Sequence, residues 1–333
     1  MAHRKYALLM VLAALTLPWH DIQANAGHAQ VQVLSTNLAN NGTRGEWGFS
    51  ALVRTETDCL LWDTGRYADT VVQNAQALGT DLSCVRHIVL SHFHFDHTGG
   101  LQTILRHLGA HPDTRPIRVV VAEGFFKPRY VDTDTPAGRA LAKKNGSDQW
   151  NLVLRDRAEL EAMGAVFEVI TAATEIVANV WATGPIKRRY AERNYPGFSH
   201  FHADTLDATP DDVPDSQGLV IKTDRGPIIL SGCGHAGAVN LVAQVTDTLQ
   251  TGPVLALMGG LHLYNASQAN LEWTGTALQK IGVQHLMAGH CTGIMPMFSL
   301  QSALGLDRTR AVIGAVGATF DSKTGINATE IAR

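Results

Sequence analysis

The sequence predicts an α/β fold with a ligand site at the carboxyl ends of its strands. Three observations lead there. Short apolar runs that read as strands alternate with stretches of helical periodicity along most of the chain. The run His87-Ile88-Val89-Leu90 leads into Ser91-His92-Phe93-His94-Phe95-Asp96-His97-Thr98-Gly99-Gly100, where three histidines and one carboxylate fall within six residues. Three later strand-like runs also end in glycine plus histidine, at His235, His262 and His290. Open α/β sheets bind ligands at strand carboxyl ends, so four such endings look like one convergent site. A lone histidine would read as a solvated loop residue. Four ligand-type residues at this spacing, closed by two glycines, read as a metal motif.

The chain opens on an address. Met1-Ala2-His3-Arg4-Lys5 is basic, residues 6–19 are almost wholly apolar, and Ala24-Asn25-Ala26 is a small-x-small cleavage site. Residues 1–26 therefore read as a secretory signal peptide, cut after Ala26 or, as second choice, Ala29. The apolar run is too short to span a bilayer comfortably, and no later segment approaches that length. A periplasmic or secreted protein without a membrane anchor after cleavage is expected, with residues 27–333 forming a single domain. With 45% hydrophobic and 17% charged residues, an ordinary globular core is expected. A formal net charge of −3 leaves no electrostatic footprint for nucleic acid or an anionic membrane.

Residues 31–38 and 45–53 read as strands, Glu56-Thr57-Asp58 as a turn, and 59–62 as the returning strand. Asp63-Thr64-Gly65 follows, then a helix over 67–78. Asp63 is either a turn carboxylate ahead of the helix or the outer hydrogen-bond partner that ligating histidines need, and the second reading is favoured. Gly42, Gly45 and Gly48 lie in no strand–turn–helix pattern, which excludes a nucleotide loop. Cys59 and Cys84 either pair in an oxidising compartment or remain two buried thiols; the sequence leaves both open. The helix expected over 98–108 would point its positive N-terminus at the site. Residues 117–122 form the next strand.

Residues 123–215 are less regular and read as a substrate-covering insertion. Helices are expected over 137–144 and 155–163, and strands over 166–170 and 175–181. The basic loop 183–190 is either a solvated turn or an anion clamp with Arg188 as its fork. Residues 204–215, acidic and proline-containing, read as a surface loop. Residues 218–223 and 227–230 form a hairpin around Asp224-Arg225-Gly226. Its second strand runs into Ser231-Gly232-Cys233-Gly234-His235-Ala236-Gly237, where a thiol and an imidazole sit two apart. A helix over 238–249, a strand over 254–258, a helix over 268–281 and a strand over 283–287 follow. A helix over 295–304 and a strand over 311–320 close the chain.

His-x-His-x-Asp-His resembles the signature of the metallo-β-lactamase superfamily. The resemblance implies a four-layer αββα sandwich with a dinuclear site between its two sheets. It implies that His92 and His94 bind one metal, that Asp96 and His97 help bind a second, and that His290 completes the second site. It also sets Asp63 beneath the metals. Asp-Thr-Gly, Ser-Gly-Cys-Gly-His-Ala-Gly, Gly-Gly-Leu-His-Leu, His-Cys-Thr-Gly and Thr-Gly-Pro-Ile-Lys-Arg together resemble the subgroup labelled dihydropterin–ribofuranosylaminobenzene phosphate synthase. This chain lacks the usual Gly-His ahead of the hairpin and carries Cys233 where a bridging Asp is usual. His235 is the natural replacement for the missing imidazole. Cys233 either binds as thiolate or only packs. His262 reads as a substrate-facing acid/base, with a ligand role as the alternative.

Two divalent ions are expected, Zn²⁺ first, with Fe or Mn fitting the same donors. The expected function is an exported hydrolase that turns a metal-bound hydroxide, positioned by Asp96, on a small polar ester, phosphoester or lactone. The substrate is a small molecule, and an anionic one would suit the site. Two rivals remain. One is a synthase or transferase acting on a phosphorylated pterin-like substrate. The other is a non-catalytic metal- or ligand-binding protein on the same fold.

Overall fold

In the computed structural model, residues 27–109, 116–131, 133–146, 149–192, 194, 201–202 and 211–332 are described. The expected signal peptide, residues 1–26, lies outside them.

Strand alternation sorts the apolar residues into three cores. In the strand Cys59–Trp62, Leu60 and Trp62 join Leu219, Ile228, Leu230 and Met258 in a core shared by two sheets. Leu61, on the opposite face, joins Val71, Ile104 and Leu105 of the helices outside the first sheet. The second sheet repeats the pattern: Val220, Ile229 and Leu257 pack with Leu241, Val242, Leu278 and Leu300 of its own helices. Both faces of both sheets are therefore buried, and the order helix, sheet, sheet, helix is the αββα sandwich that the motifs implied. A one-residue slip in any central strand would exchange these sets between cores, which fixes the register.

Among the described residues the first sheet has eight strands in the order Gly325–Asn327, Thr319–Asp321, Gln30–Ser35, Ser50–Arg54, Cys59–Trp62, His87–Val89, Ile117–Ala122 and Ala165–Ile170. Its last four run parallel. The second, likewise among the described residues, has seven, in the order Ala311–Ile313, Leu286–Ala288, Ala256–Gly259, Ile228–Ser231, Gly218–Ile221, Val180–Ala182 and Thr174–Val177. Its first four run parallel. Parallel neighbours need crossover connections. The helices Thr70–Ala77, Leu101–Gly109, Ala238–Leu249, Gln268–Ile281 and Ile294–Leu304 lie in these connections. The crossovers leave the carboxyl ends of five strands free to carry Asp63, the His92 loop, Cys233 with His235, His262, and His290.

Several expectations change. The strand expected over 175–181 is a hairpin, Thr174–Val177 with Val180–Ala182. It turns at Asn179, whose φ of 64° is a conformation asparagine tolerates. The strand expected over 311–320 divides between the sheets: Ala311–Ile313 lies in the second and Thr319–Asp321 in the first. The helix expected over 98–108 is broken into Phe95–Thr98 and Leu101–Gly109. Gly99 and Gly100 lie at the break, where a Cβ would come within 1.9 Å of the Arg66 carbonyl oxygen and 2.2 Å of that of Thr64. The helix expected over 155–163 is two short ones, Leu152–Arg155 and Arg157–Ala162. Among the described residues, three strands of the main sheets, Ala165–Ile170, Thr174–Val177 and Val180–Ala182, fall within 123–215, so that stretch is not wholly an insertion off the sheets. Part of the acidic loop over 204–215 lies outside the described residues. Asp211 and Asp215 in it are buried against Arg129, not on the surface.

Cys59 and Cys84 form a disulfide with Cα atoms 5.6 Å apart, while Cys233 and Cys291 are free and buried. Among the described residues no helix is long and apolar enough to cross a membrane.

Candidate metal centre

The strand ends bring seven donor side chains into two adjoining pockets. In the first, His235 Nε2 lies 3.1 Å from His92 Nε2 and 3.2 Å from His94 Nδ1. In the second, His97 Nε2 lies 3.3 Å from His290 Nε2, and Cys233 Sγ is 3.0 Å from the former and 3.1 Å from the latter. Asp96 Oδ2 closes the second pocket, 3.4 Å from His290 Nε2 and 3.9 Å from His97 Nε2. Asp96 also groups with His92 and His94, and Cys233 with His92 and His235, so both lie between the pockets. Ligand nitrogens about 3.3–3.4 Å apart are what a tetrahedral ion with Zn–N distances of about 2.0–2.1 Å requires. The donors present therefore fit divalent metal.

The protonation states of His92, His235 and Asp96 agree. Burial, reinforced by neighbouring imidazoles, pushes His92 and His235 well toward the neutral, ligating form. Burial alone would raise Asp96, but His97 and His290 outweigh it and hold the carboxyl far below the usual range. Burial pushes the Cys233 thiol up, so a cation beside it is what would make it a thiolate. At His290 burial opposes the imidazolium, but Cys291 and Asp96 prevail and raise its pKa to about 10. An ion taking His290 Nε2 must therefore displace a proton.

The backbone under the second pocket is tightly specified. Asp63, with φ of 57°, accepts from the Ser91 N–H at 2.6 Å through Oδ1 and meets His97 Nδ1 at 2.7 Å through Oδ2. It is wholly buried and occupies the supporting place that the sequence predicted. Ser91 Oγ reaches His92 Nδ1 at 2.9 Å. This crowding requires Gly232, where a Cβ would stand 2.0 Å from Ser91 Oγ. Thr36 Oγ1 accepts from the His290 N–H at 3.2 Å. His262 and His290 share the left-handed backbone of Asp63, each with φ of 50°. Such conformations in non-glycine residues concentrate where function holds them.

Cys233 and His235 are both placed among the donors, His235 beside His92 and His94 and Cys233 between the two pockets. His262 is buried outside the seven donors, its ring centred 4.7 Å from His235 and 5.3 Å from Tyr264. Arg188 is not an open anion fork. Its Nη1 donates to the His235 carbonyl at 2.8 Å and its Nη2 to that of Asp212, so it supports the His235 turn. Glu192 strengthens the same turn by accepting from the N–H groups of Val239 and Asn240 at the following helix's start. Sequence reasoning missed three further features. Cys291 groups with Cys233 and His262, and its place next to His290 was a usable signal. Trp47 packs edge-on against His290 and Tyr264, 5.5 and 5.7 Å between ring centres. Both Trp47 and Tyr264 are exposed, so this aromatic wall is where the site meets solvent. Arg129, behind the His92 loop, left no local signal because its partners are distant in sequence.

Known proteins share this sequence pattern and fold. The chain is 29% identical over 252 residues to the Methanocaldococcus jannaschii 7,8-dihydropterin-6-methyl-4-(β-D-ribofuranosyl)-aminobenzene-5'-phosphate synthase, covering 74% of this chain and 81% of that protein. The solved structure of Tm1679, described as a metal-dependent hydrolase of the β-lactamase superfamily, superposes with a TM-score of 0.67. It is 25% identical and covers 88% of this chain and 98% of that one. The Bacillus subtilis metallo-β-lactamase fold protein YhfI, at 10% identity, shares the fold, with a TM-score of 0.51 over 87% of this chain and 98% of its own. The family description "Metallo-beta-lactamase superfamily" matches residues 47–236. That span carries Asp63, the whole histidine motif, Cys233 and His235, and with it the chain belongs to the metallo-β-lactamase superfamily.

Proposed function

We propose that the protein is a dinuclear metal-dependent hydrolase of a small polar ester, phosphoester or lactone. The observation that carries this reading is the pair of adjoining donor pockets with Asp96 and Cys233 between them. His92, His94 and His235 would hold one divalent ion, and Asp96, His97, Cys233 and His290 the other, with Zn²⁺ first among the metals that suit these donors. When bound, such ions polarise an ester or phosphoryl oxygen and lower the pKa of water.

The chain's own groups do the rest. Asp96, held anionic, accepts a hydrogen bond from the attacking water and fixes its direction. His262, outside the donor set, holds a proton on a ring nitrogen for the leaving oxygen. Trp47 and Tyr264 wall the exposed side and orient a planar or apolar part of the substrate. A second reading, a synthase acting on a phosphorylated pterin-like substrate, draws on the relative that bears that name. Export completes the proposal, and the Cys59–Cys84 disulfide supports it, since such bonds persist in oxidising compartments.

The test is turnover of generic phosphodiester, ester and lactone substrates, with and without chelator, on the protein and its His262→Ala variant. Chelator-sensitive hydrolysis, reduced in the variant while metal content is kept, is expected. Condensation without hydrolysis would favour the synthase. Full metal loading with no turnover of any substrate would favour a binding protein. An intact Met1 on the mature protein, read by mass spectrometry, would overturn export.

A further inference from the structure

Arg129 is completely buried, lies off the two main sheets and ligates nothing. Its guanidinium bonds Asp211 through Nε and Asp215 Oδ1 through Nη2, the latter at 2.8 Å. Nη1 donates to the carbonyls of Gly124, Phe125 and Lys127 at 3.2–3.3 Å. The flat face of the guanidinium rests on the Phe93 ring, with Cζ 3.7 Å from the ring centre. Asp215 uses its other oxygen, Oδ2, to accept from the Phe93 N–H at 2.8 Å. Phe93 stands between His92 and His94. Two residues on, Gln217 donates from its backbone to the Ser91 carbonyl and from its side chain to that of Leu90, both at 2.9 Å.

Three ionised groups buried together are a poor way to gain stability. Desolvation amounts to several kcal/mol per ion, and apolar residues of similar volume often do as well or better. What the arrangement supplies is geometry: a rigid planar fork that fixes both the ring and the amide of the residue between two metal donors. The third donor of that pocket, His235, is held through its carbonyl by Arg188, also from off the sheets. The second pocket relies on Asp63 and Thr36, which belong to the first sheet's own strands and loops, while Ser91 Oγ touches a donor of each pocket, His92 Nδ1 at 2.9 Å and His97 Nδ1 at 3.5 Å. Apart from Ser91, the two pockets therefore have separate supports.

We infer that Arg129, acting through Asp215 and Phe93, is a positioning residue that sets the metal affinity of the His92, His94, His235 pocket and leaves the Cys233 pocket independent. The inference rests on the dinuclear reading above. Donors held in place lose less freedom when an ion binds, and removing an outer partner of a ligand typically costs about 10–100-fold in metal affinity.

Two variants test it. Arg129→Lys keeps the charge but loses the fork and the flat face. Phe93→Leu keeps apolar volume and leaves the ion pairs intact, so it serves if the first variant fails to fold. Stripped protein is titrated with Co²⁺, following heat and the thiolate-to-cobalt absorption that reports Cys233, and melting is measured with chelator and with metal. In both variants one ion should bind as in the unsubstituted protein with the thiolate absorption intact. The other should bind about 10–100-fold more weakly, and the rise in melting temperature on adding metal should shrink. Two ions bound with unchanged affinities would overturn the inference, as would equal weakening of both, the mark of a merely structural role. If the unsubstituted protein binds no metal, the dinuclear reading fails first and this inference with it.

Discussion

Asp63→Asn should remove one metal ion without removing the fold. Asp63 accepts from two donors, the Ser91 N–H at 2.6 Å and His97 Nδ1 at 2.7 Å, with no exposure to solvent. Asparagine has one acceptor oxygen, so its amide NH₂ must face one of these donors. The backbone N–H of Ser91 cannot give up its proton, but the imidazole of His97 can move its own. The low-energy arrangement turns Oδ1 to Ser91 and Nδ2 to His97 Nδ1, which drives the His97 proton onto Nε2. That atom is the one aimed into the second pocket, 3.0 Å from Cys233 Sγ. Avoiding a buried donor facing a donor is worth about 1–3 kcal/mol, enough to choose the tautomer. Loss of such a ligand partner weakens metal about 10–100-fold, or about 1.4–2.8 kcal/mol at 1.4 kcal/mol per decade. Metal analysis after gel filtration should show one ion instead of two, and the thiolate-to-cobalt absorption should be absent. A variant that keeps two ions at unchanged affinity would refute the tautomer argument.

Other consequences can be read separately. His235→Ala should lose the first pocket's ion and keep the thiolate-to-cobalt absorption, whereas Cys233→Ser should lose the absorption; identical spectra from the two would contradict separate pockets. Replacing Cys59 and Cys84 together by serine opens a loop with a sequence separation of 25. On loop-closure entropy this should lower stability by about 3.5 kcal/mol, read from the urea midpoint, and an unchanged midpoint would contradict it. Burial raises the Glu192 pKa from 4.5 to about 7, despite the N–H groups that favour its anion. The folded chain then holds a proton that the unfolded chain has already released. This stabilising contribution is full below 4.5 and is lost as pH rises through about 7. Unfolding free energies across that window should fall less steeply for Glu192→Gln, and equal slopes would count against the burial argument.

Much of the site was legible because its chemistry is local. His92, His94, Asp96 and His97 lie in one loop, and the endings at His235, His262 and His290 share one grammar of strand, glycine and imidazole. The parallel strands and crossover helices were legible too, since each carries its own apolar period. The helices Ala238–Leu249 and Gln268–Ile281 have the limits expected of them. The misses share a cause, which is partnership across sequence. Asp211 and Asp215 look like a solvated acidic run until Arg129, more than eighty residues away, is seen between them. Arg188 looks like a free fork until it meets the His235 carbonyl. The run 311–320 carries no polar side chain before Thr319, and nothing local says that it changes sheets between Ile313 and Thr319. The different surroundings of Cys233, beside His97 and His290, and of His235, beside His92 and His94, follow from the turn at Gly234, whose φ of 69° breaks the strand alternation.

The central claim is that two ions lie side by side in pockets built from different strand ends. Anomalous diffraction at the zinc edge, from crystals of the unsubstituted protein grown with Zn²⁺, tests it most directly. Two peaks are predicted, one enclosed by His92, His94 and His235 and the other by Asp96, His97, Cys233 and His290. A single peak, or none at these side chains, would contradict it.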